Sequence, residues 1–150
     1  MSDLNMETLL EVARIERVLN LYAFSLDAGD WAALDGVFTE GATAHFQGIG
    51  NFDGRAAIVA LISSVLGQAG ATQHLLANFM IDVNGSKAKA KCYLQAIHAG
   101  KGKFEGQKMT VWGEYRDDLE RTAAGWRIVH RDLAGIHAEG DIGMAIISSS

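Results

Sequence analysis

The stretch TQHLLANFMIDVNGSKAKAKCYLQAIH, residues 72–98, decides how this chain folds. Its second half alternates almost without error. Ala88, Ala90, Cys92, Leu94, Ala96 and His98 fall on one side of an extended chain, and Lys87, Lys89, Lys91, Tyr93 and Gln95 on the other. A period of two marks a strand with one buried face. The first half, Thr72 to Val83, is a mostly apolar run, and Asn84-Gly85 between the halves is a strong type I′ turn signal, so the stretch reads as an antiparallel hairpin. Both strands carry a histidine toward the apolar side: His74 in line with Leu76, Asn78 and Met80, and His98 at the end of the alanine stripe.

Working outward, a polar loop over residues 99–107 leads to a strand from Lys108 to Leu119, and a turn at Thr122 to Gly125 leads to a further strand from Trp126 to Leu133. Upstream, the chain is helical. Thr8 to Glu11 has the capping-box pattern, and Ile15, Leu19, Tyr22 and Leu26 follow as one amphipathic stripe that ends near Ala28-Gly29. Asp30 can cap a second, short helix over Trp31 to Phe38. Residues 41–52, with Gly48 and Gly50, read as a short hairpin, and Asp53 can cap a third helix carrying Ile58, Leu61, Ile62 and Val65 up to Gly67. Helices first and strands after make an α+β domain spanning 1–150, a curved antiparallel sheet wrapped around the helices to form a cone with an internal cavity.

Composition narrows the function. At 150 residues, 49% of them hydrophobic, folding should remove about 70% of the surface exposed by the unfolded chain, enough for a core without disulfide or structural metal. A net charge of −5 has the wrong sign for a protein that neutralises nucleic-acid phosphates. No apolar run approaches the roughly 20 residues of a membrane span, and the start MSDLNMETLLEVARIER lacks the basic and apolar regions of a secretion signal, which predicts a soluble, cytoplasmic protein. Cys92 is the single cysteine, excluding an internal disulfide or a thiolate zinc cluster. No G-x-G-x-x-G opens a helix after a strand, and Ser63-Ser64 and Ser148 to Ser150 lack the setting of a nucleophile, so neither dinucleotide binding nor serine hydrolysis is indicated. The expected partner is a small molecule, with no cofactor, metal, nucleic acid or membrane.

Among five histidines, His45, His130 and His137 have no evident partner, whereas His74 and His98 point inward from one hairpin. A buried imidazole must be hydrogen bonded, either to a backbone carbonyl or to a functional group. Asp27 is the acid to pair with them. An acid at a helix C-terminus normally turns to water, because the helix dipole disfavours it there; turned inward to His74, it would fix one ring nitrogen protonated and make the other a general base. Tyr22 offers a phenol to a developing oxyanion or simply fills the core. Arg131 alternates with Val129 and Leu133, opposite Trp126, Ile128 and His130, and needs an anion, either an internal acid or the substrate. Phe24, Phe38, Phe46, Leu61, Met80 and Trp112 are candidates for shaping a pocket, with Asn78 beside them.

The residues Ile15 to Asp27 followed by Ala28-Gly29-Asp30-Trp31, then Val37-Phe38-Thr39-Glu40-Gly41-Ala42, Phe52-Asp53-Gly54-Arg55, Thr72-Gln73-His74 with Asn78, and Gly125-Trp126-Arg127-Ile128 with Arg131, resemble the SnoaL-like group of the nuclear transport factor 2-like (cystatin-like cone) superfamily. The resemblance covers about residues 8–134 and bears on fold more than on reaction. Within it, Asp27 and His74 resemble the dyad of scytalone dehydratase and hexachlorocyclohexane dehydrochlorinase. His98 falls near the second active-site histidine of the former, and His74-x-x-x-Asn78 with Arg131 resembles the latter. Ala44-His45-Phe46-Gln47 lacks the aspartate base of ketosteroid isomerase. The resemblance implies a dehydratase-like lyase acting on a small cyclic substrate, with isomerase or cyclase chemistry on the same dyad, or ligand binding alone, as alternatives. It also implies a homodimer or homotrimer that buries the outer sheet face, with the tail Ile136 to Ile147 serving as lid or exchanged arm.

Overall fold

The computed structural model describes residues 4–144. Helix α1, Met6–Ala28, starts one turn before the Thr8 pattern suggests, because the Asn5 side chain accepts a hydrogen bond from the Thr8 N–H at 2.9 Å and so caps the helix. Glu11 is therefore free of any capping role. It is buried, accepts from the Trp126 indole N–H and from Arg14 at 2.6 Å, and ties the helix to the sheet. Ile15, Leu19, Tyr22 and Leu26 form the expected buried stripe. The helix closes at Gly29, whose φ of +65° is a left-handed conformation that costs a side-chain-bearing residue energy.

Asp30 does cap the next segment, accepting from Ala33 N–H at 3.2 Å, but that segment is a single 3-10 stretch, Trp31–Gly36. It stops before Phe38 because the backbone there is drawn into the sheet: the Ile128 N–H donates to Val37 O at 2.8 Å, and strand β1 runs from Phe38 to Phe46. Strand β2, Gly50–Asp53, pairs back on β1, with Asp53 opposite Thr43. Asp53 is thus a strand residue, and helix α2, Arg55–Leu66, begins after Gly54 with no side-chain cap.

Strands β3 (Thr72–Asn84), β4 (Lys87–Ala99), β5 (Lys108–Thr122) and β6 (Gly125–Glu139) follow as a meander. Asn84 pairs with Lys87, so the turn residues are Gly85 and Ser86, one position beyond the Asn-Gly signal, with the left-handed φ of +62° at Gly85. The six strands lie in the order β2-β1-β6-β5-β4-β3. All neighbours are antiparallel except β1 and β6, which run parallel, so the sheet is mixed. Parallel neighbours need a long connection, and here everything from β2 to β5 intervenes.

Two bulges alter which residues face inward. In β3 the register advances by one between Ala77 and Met80, with Asn78 at a φ of +59°. His74 and Leu76 point inward before this bulge, and Phe79, Ile81 and Val83 pack on the core after it. In β6, Asp118 pairs with His130 but Leu119 with Ile128, leaving Val129 unpaired and bringing Arg131 to the same side as Trp126 and Ile128. The β4 stripe from Ala88 to His98 is buried as its alternation requires. A smaller apolar cluster of Ala69, Met109, Val111, Ile142 and Met144 closes one end of the cone. Of the tail, Ile136 to Glu139 complete β6, Ile142 and Met144 are buried, and residues 145–147 lie outside the described residues. No helix among the described residues is long and apolar enough to cross a membrane.

Candidate active site

Between α1, α2 and the inner face of the sheet lies a cavity of about 90 Å³. That is several times the 10–15 Å³ needed for one water on the same measure. Its wall is largely apolar, with Leu26, Phe46, Leu61, Ile62, Leu94 and Met144 among the lining residues, and its polar groups come from His74, His98, Tyr22 and Tyr115. Such a site positions a ligand by a few polar contacts within an apolar wall.

Asp27 occupies the last turn of α1, where the helix dipole works against a negative charge. Three donors from β3 compensate: the Thr72 hydroxyl at 3.0 Å and the His74 ring at 2.7 Å on one carboxylate oxygen, and the His74 backbone N–H at 2.9 Å on the other. Burial pushes the Asp27 carboxyl pKa up, but the bonds from His74 and Thr72 outweigh it and hold the pKa below the usual value. Because an ionised carboxylate only accepts, Nδ1 of His74 is the protonated nitrogen. The lone pair is then on Nε2, and the ring lines the cavity. Asp27 itself stands behind the ring and is not part of the wall.

His98 packs edge to face against His74, with ring centroids 5.6 Å apart. Its Nδ1 donates to the Met109 carbonyl at 3.3 Å, which leaves Nε2 as an acceptor. Burial, followed by the positive charge His74 can carry, pushes the His98 pKa down to about 4. At neutral pH it is an uncharged acceptor and not an acid.

Arg131 and Asp117 are completely buried and bound in a two-point pair at 2.7 and 2.8 Å. Burial alone would lower the Arg131 pKa, but the Asp117 charge and hydrogen bonds raise it, so Arg131 stays a cation. The guanidinium carbon sits 4.3 Å from the Tyr22 ring centroid and 4.0 Å from that of Tyr115. Arg131 therefore lies behind the tyrosines and does not line the cavity, a placement that follows from the bulge at Val129.

The structure thus brings Tyr22, His74, His98 and Phe46 to one cavity, with Asp27 and Arg131 in contact behind it. Other residues expected at the pocket lie elsewhere. Phe24 is 75% exposed on the outer side of α1. Asn78 and Met80 are thrown outward by the β3 bulge, and Trp112, in register with outward Gln95, stacks against His137 at 5.4 Å on the outer face. Phe38 is core, edge-on to Tyr22. The remaining histidines find surface partners: His45 with Asn51, His130 with Thr43 and His137 with Glu139. Tyr115, Asp117 and Met144 were not singled out from sequence. Tyr115 and Asp117 alternate on the inner face of β5, a period-two signal that an isolated strand of mixed charge conceals.

Against known proteins, residues 7–132 match the model of the SnoaL-like domain. The chain belongs to that family. An uncharacterized protein of Mycobacterium tuberculosis is 34% identical over 121 residues, covering 78% of this chain and 80% of that one. Among solved structures, a nuclear transport factor 2-like protein with a cystatin-like fold from Novosphingobium aromaticivorans has a TM-score of 0.70 at 29% identity, over 87% of this chain and 85% of that one. A candidate scytalone dehydratase from the same organism has a TM-score of 0.81 at 22% identity, over 95% and 96%. A hexachlorocyclohexane dehydrochlorinase from Novosphingobium barchaimii has 0.80 at 15% identity, over 95% and 98%. The last two establish likeness of fold.

Proposed function

We propose that this SnoaL-like protein is a cofactor-independent lyase of dehydratase type, in which His74, oriented by Asp27, removes a proton from a small, mostly apolar, cyclic substrate as a leaving group departs. The observation that carries the reading is the 2.7 Å contact of His74 Nδ1 with Asp27, made by a ring that also lines an apolar cavity. That arrangement fixes the tautomer, presents Nε2 to a bound molecule and leaves Asp27 to stabilise the imidazolium that forms. His98, as a neutral acceptor, holds a substrate hydroxyl, and Tyr22 donates to the oxygen that gains charge. The neighbours described as a dehydratase and a dehydrochlorinase share this fold and support an elimination.

The test is turnover of a panel of small cyclic β-hydroxy ketones and halogenated cyclohexanes by the wild-type protein and His74→Ala. Elimination that falls at least a hundredfold in the variant, with an unchanged circular dichroism spectrum, supports the base. An equal rate in the variant removes it, and tight binding without turnover by the wild-type protein shows a binding domain instead. The reading includes self-association through the outer sheet face, where Leu75, Met80, Tyr93, Ile97 and Ile136 are exposed. A dimer or trimer mass by light scattering, reduced to monomer by Tyr93→Lys, is the expected result.

A further inference from the structure

Helix α1 is apolar on two sides. Its buried stripe, Ile15, Leu19, Tyr22 and Leu26, belongs to the core. On the opposite side Met6, Leu10, Leu21 and Phe24 are exposed. With Arg14 and Arg17 these four form one row, at spacings of four, four, three, four and three residues. At 100° per residue the row stays within about 80° of arc. No acid interrupts it. A helix that is apolar all round is normally covered all round. Self-association through the outer sheet face does not supply the cover, because α1 packs on the inner face and its row looks the other way.

Beside the row an open groove runs between α1 and the β5–β6 turn. Its lining holds four of the chain's 13 basic side chains, Arg14, Arg17, Arg121 and Arg127, and two of its 18 acids, Glu11 and Glu16. Glu11 is already engaged by the Trp126 indole, Arg14 and Arg121. Arg14 still keeps 62% of its side chain exposed, and Arg17 makes no ion pair among the described residues. The groove is thus positive in a chain whose net charge is −5.

We propose that the outer face of α1 and this groove dock an acidic amphipathic helix of another protein, which lays apolar side chains on Met6, Leu10, Leu21 and Phe24 and sets two carboxylates against Arg14 and Arg17. The charge order of the row selects this occupant. Apolar at both ends and cationic in the middle, it calls for apolar, acidic and apolar segments on the facing helix, anchored at the three- and four-residue spacings by which one helix seats on another. Carboxylates against the central arginines fix the register, as one polar residue does within a coiled-coil seam. A second copy of α1 does not fit. Arg14 and Arg17 lie near the middle of the row, so two such helices centred on each other, in either direction, set arginine against arginine, and like charges across an interface repel. An anionic membrane fits less well than a helix, because helices that lie in a bilayer surface keep their cations on the polar face and not in the middle of the apolar one.

The site is separate from His74 and its cavity, so its test is binding and not turnover. The full-length protein is titrated against a fluorescein-labelled peptide of about 20 residues, long enough to hold a helix. The peptide's row carries leucines at both ends and two glutamates at the centre, and a second peptide has lysines in place of the glutamates. Fluorescence anisotropy should show the glutamate peptide binding at least about tenfold more tightly than the lysine peptide. Arg17→Glu should reverse that order, and Phe24→Ala should weaken both peptides, with the circular dichroism spectrum unchanged because both side chains are exposed. Equal affinity for the two peptides, no binding of either, or an order that Arg17→Glu leaves unchanged overturns the site. Binding to phosphatidylglycerol vesicles without binding of the glutamate peptide overturns it in favour of a lipid surface. A light-scattering mass that falls in Phe24→Ala overturns it in favour of a second copy.

Discussion

The fold sets two aspartates against basic side chains, and the two arrangements differ in one respect. Asp117 and Arg131 are sealed from solvent on every side, whereas Asp27 keeps 22% of its side chain exposed and its partner His74 borders the cavity. A sealed pair can hold charge but cannot exchange a proton with anything. A pair with one nitrogen on an open cavity can. On the proposed reading, proton transfer belongs to the pair that borders the cavity and not to the sealed one.

The sharpest way to break this comparison is kinetic. His74→Ala should lower elimination by about 10²–10⁴ with the fold retained, the range for loss of a general base. Asp27→Asn should produce a comparable loss, because an amide can donate to Nδ1 and turn the ring to the wrong tautomer; pH–rate profiles of both variants check this. Next in size is stability. Asp117→Asn or Arg131→Met should cost about 3–5 kcal/mol in urea unfolding, since each leaves its partner charge buried alone. If Asp27→Asn costs as much, the distinction between sealed and open pairs fails.

Acid sharpens the comparison further. His98, with a pKa near 4 in the fold against 6.5 for the free side chain, binds fewer protons folded than unfolded between these values. Its contribution is complete above pH 6.5 and is lost as pH falls toward 4, amounting to about 3 kcal/mol at 1.36 kcal/mol per unit. Asp27, lowered in the fold, keeps its contribution above the ordinary carboxylate range and loses it only below that. Chemical unfolding from pH 8 to pH 4 should show the first loss, and His98→Gln should flatten it. The smallest expected effect is Thr72→Val, which removes one of three donors to Asp27 and should cost about 1 kcal/mol while leaving the Asp117 pair unaffected.

What was legible in the sequence follows the same physical lines. Strand β4 alternates without interruption, so its inner face could be read residue by residue, and the dyad needed only one helix end and one strand start in addition. Strand β3 carries one extra residue, and β6 carries two, Val129 and Ile136; each extra residue turns the side chains beyond it to the other face. Asn78, Met80 and Arg131 were misplaced for this reason. The parallel pairing of β1 was equally hidden, because it depends on a partner far along the chain. Tyr115 escaped notice as a polar-tipped residue among the charges of β5, and only the bulge beside Arg131 brings cation and ring together.

That parallel pairing also sets a schedule. β6 is inserted between β1 and β5, and Thr43 meets His130 across 87 residues of sequence. During synthesis β1 must wait, its edge unpaired, until nearly the whole chain has left the ribosome, and such an edge is a template for unwanted association. Contact order predicts that the local β3–β4 hairpin forms before closure on β1, which carries the loop-entropy penalty of a distant contact. A circular permutant that opens the chain between β4 and β5 and joins the old ends would place β6 before β1 in order of synthesis. It should refold faster and aggregate less, at little cost to the interior it encloses.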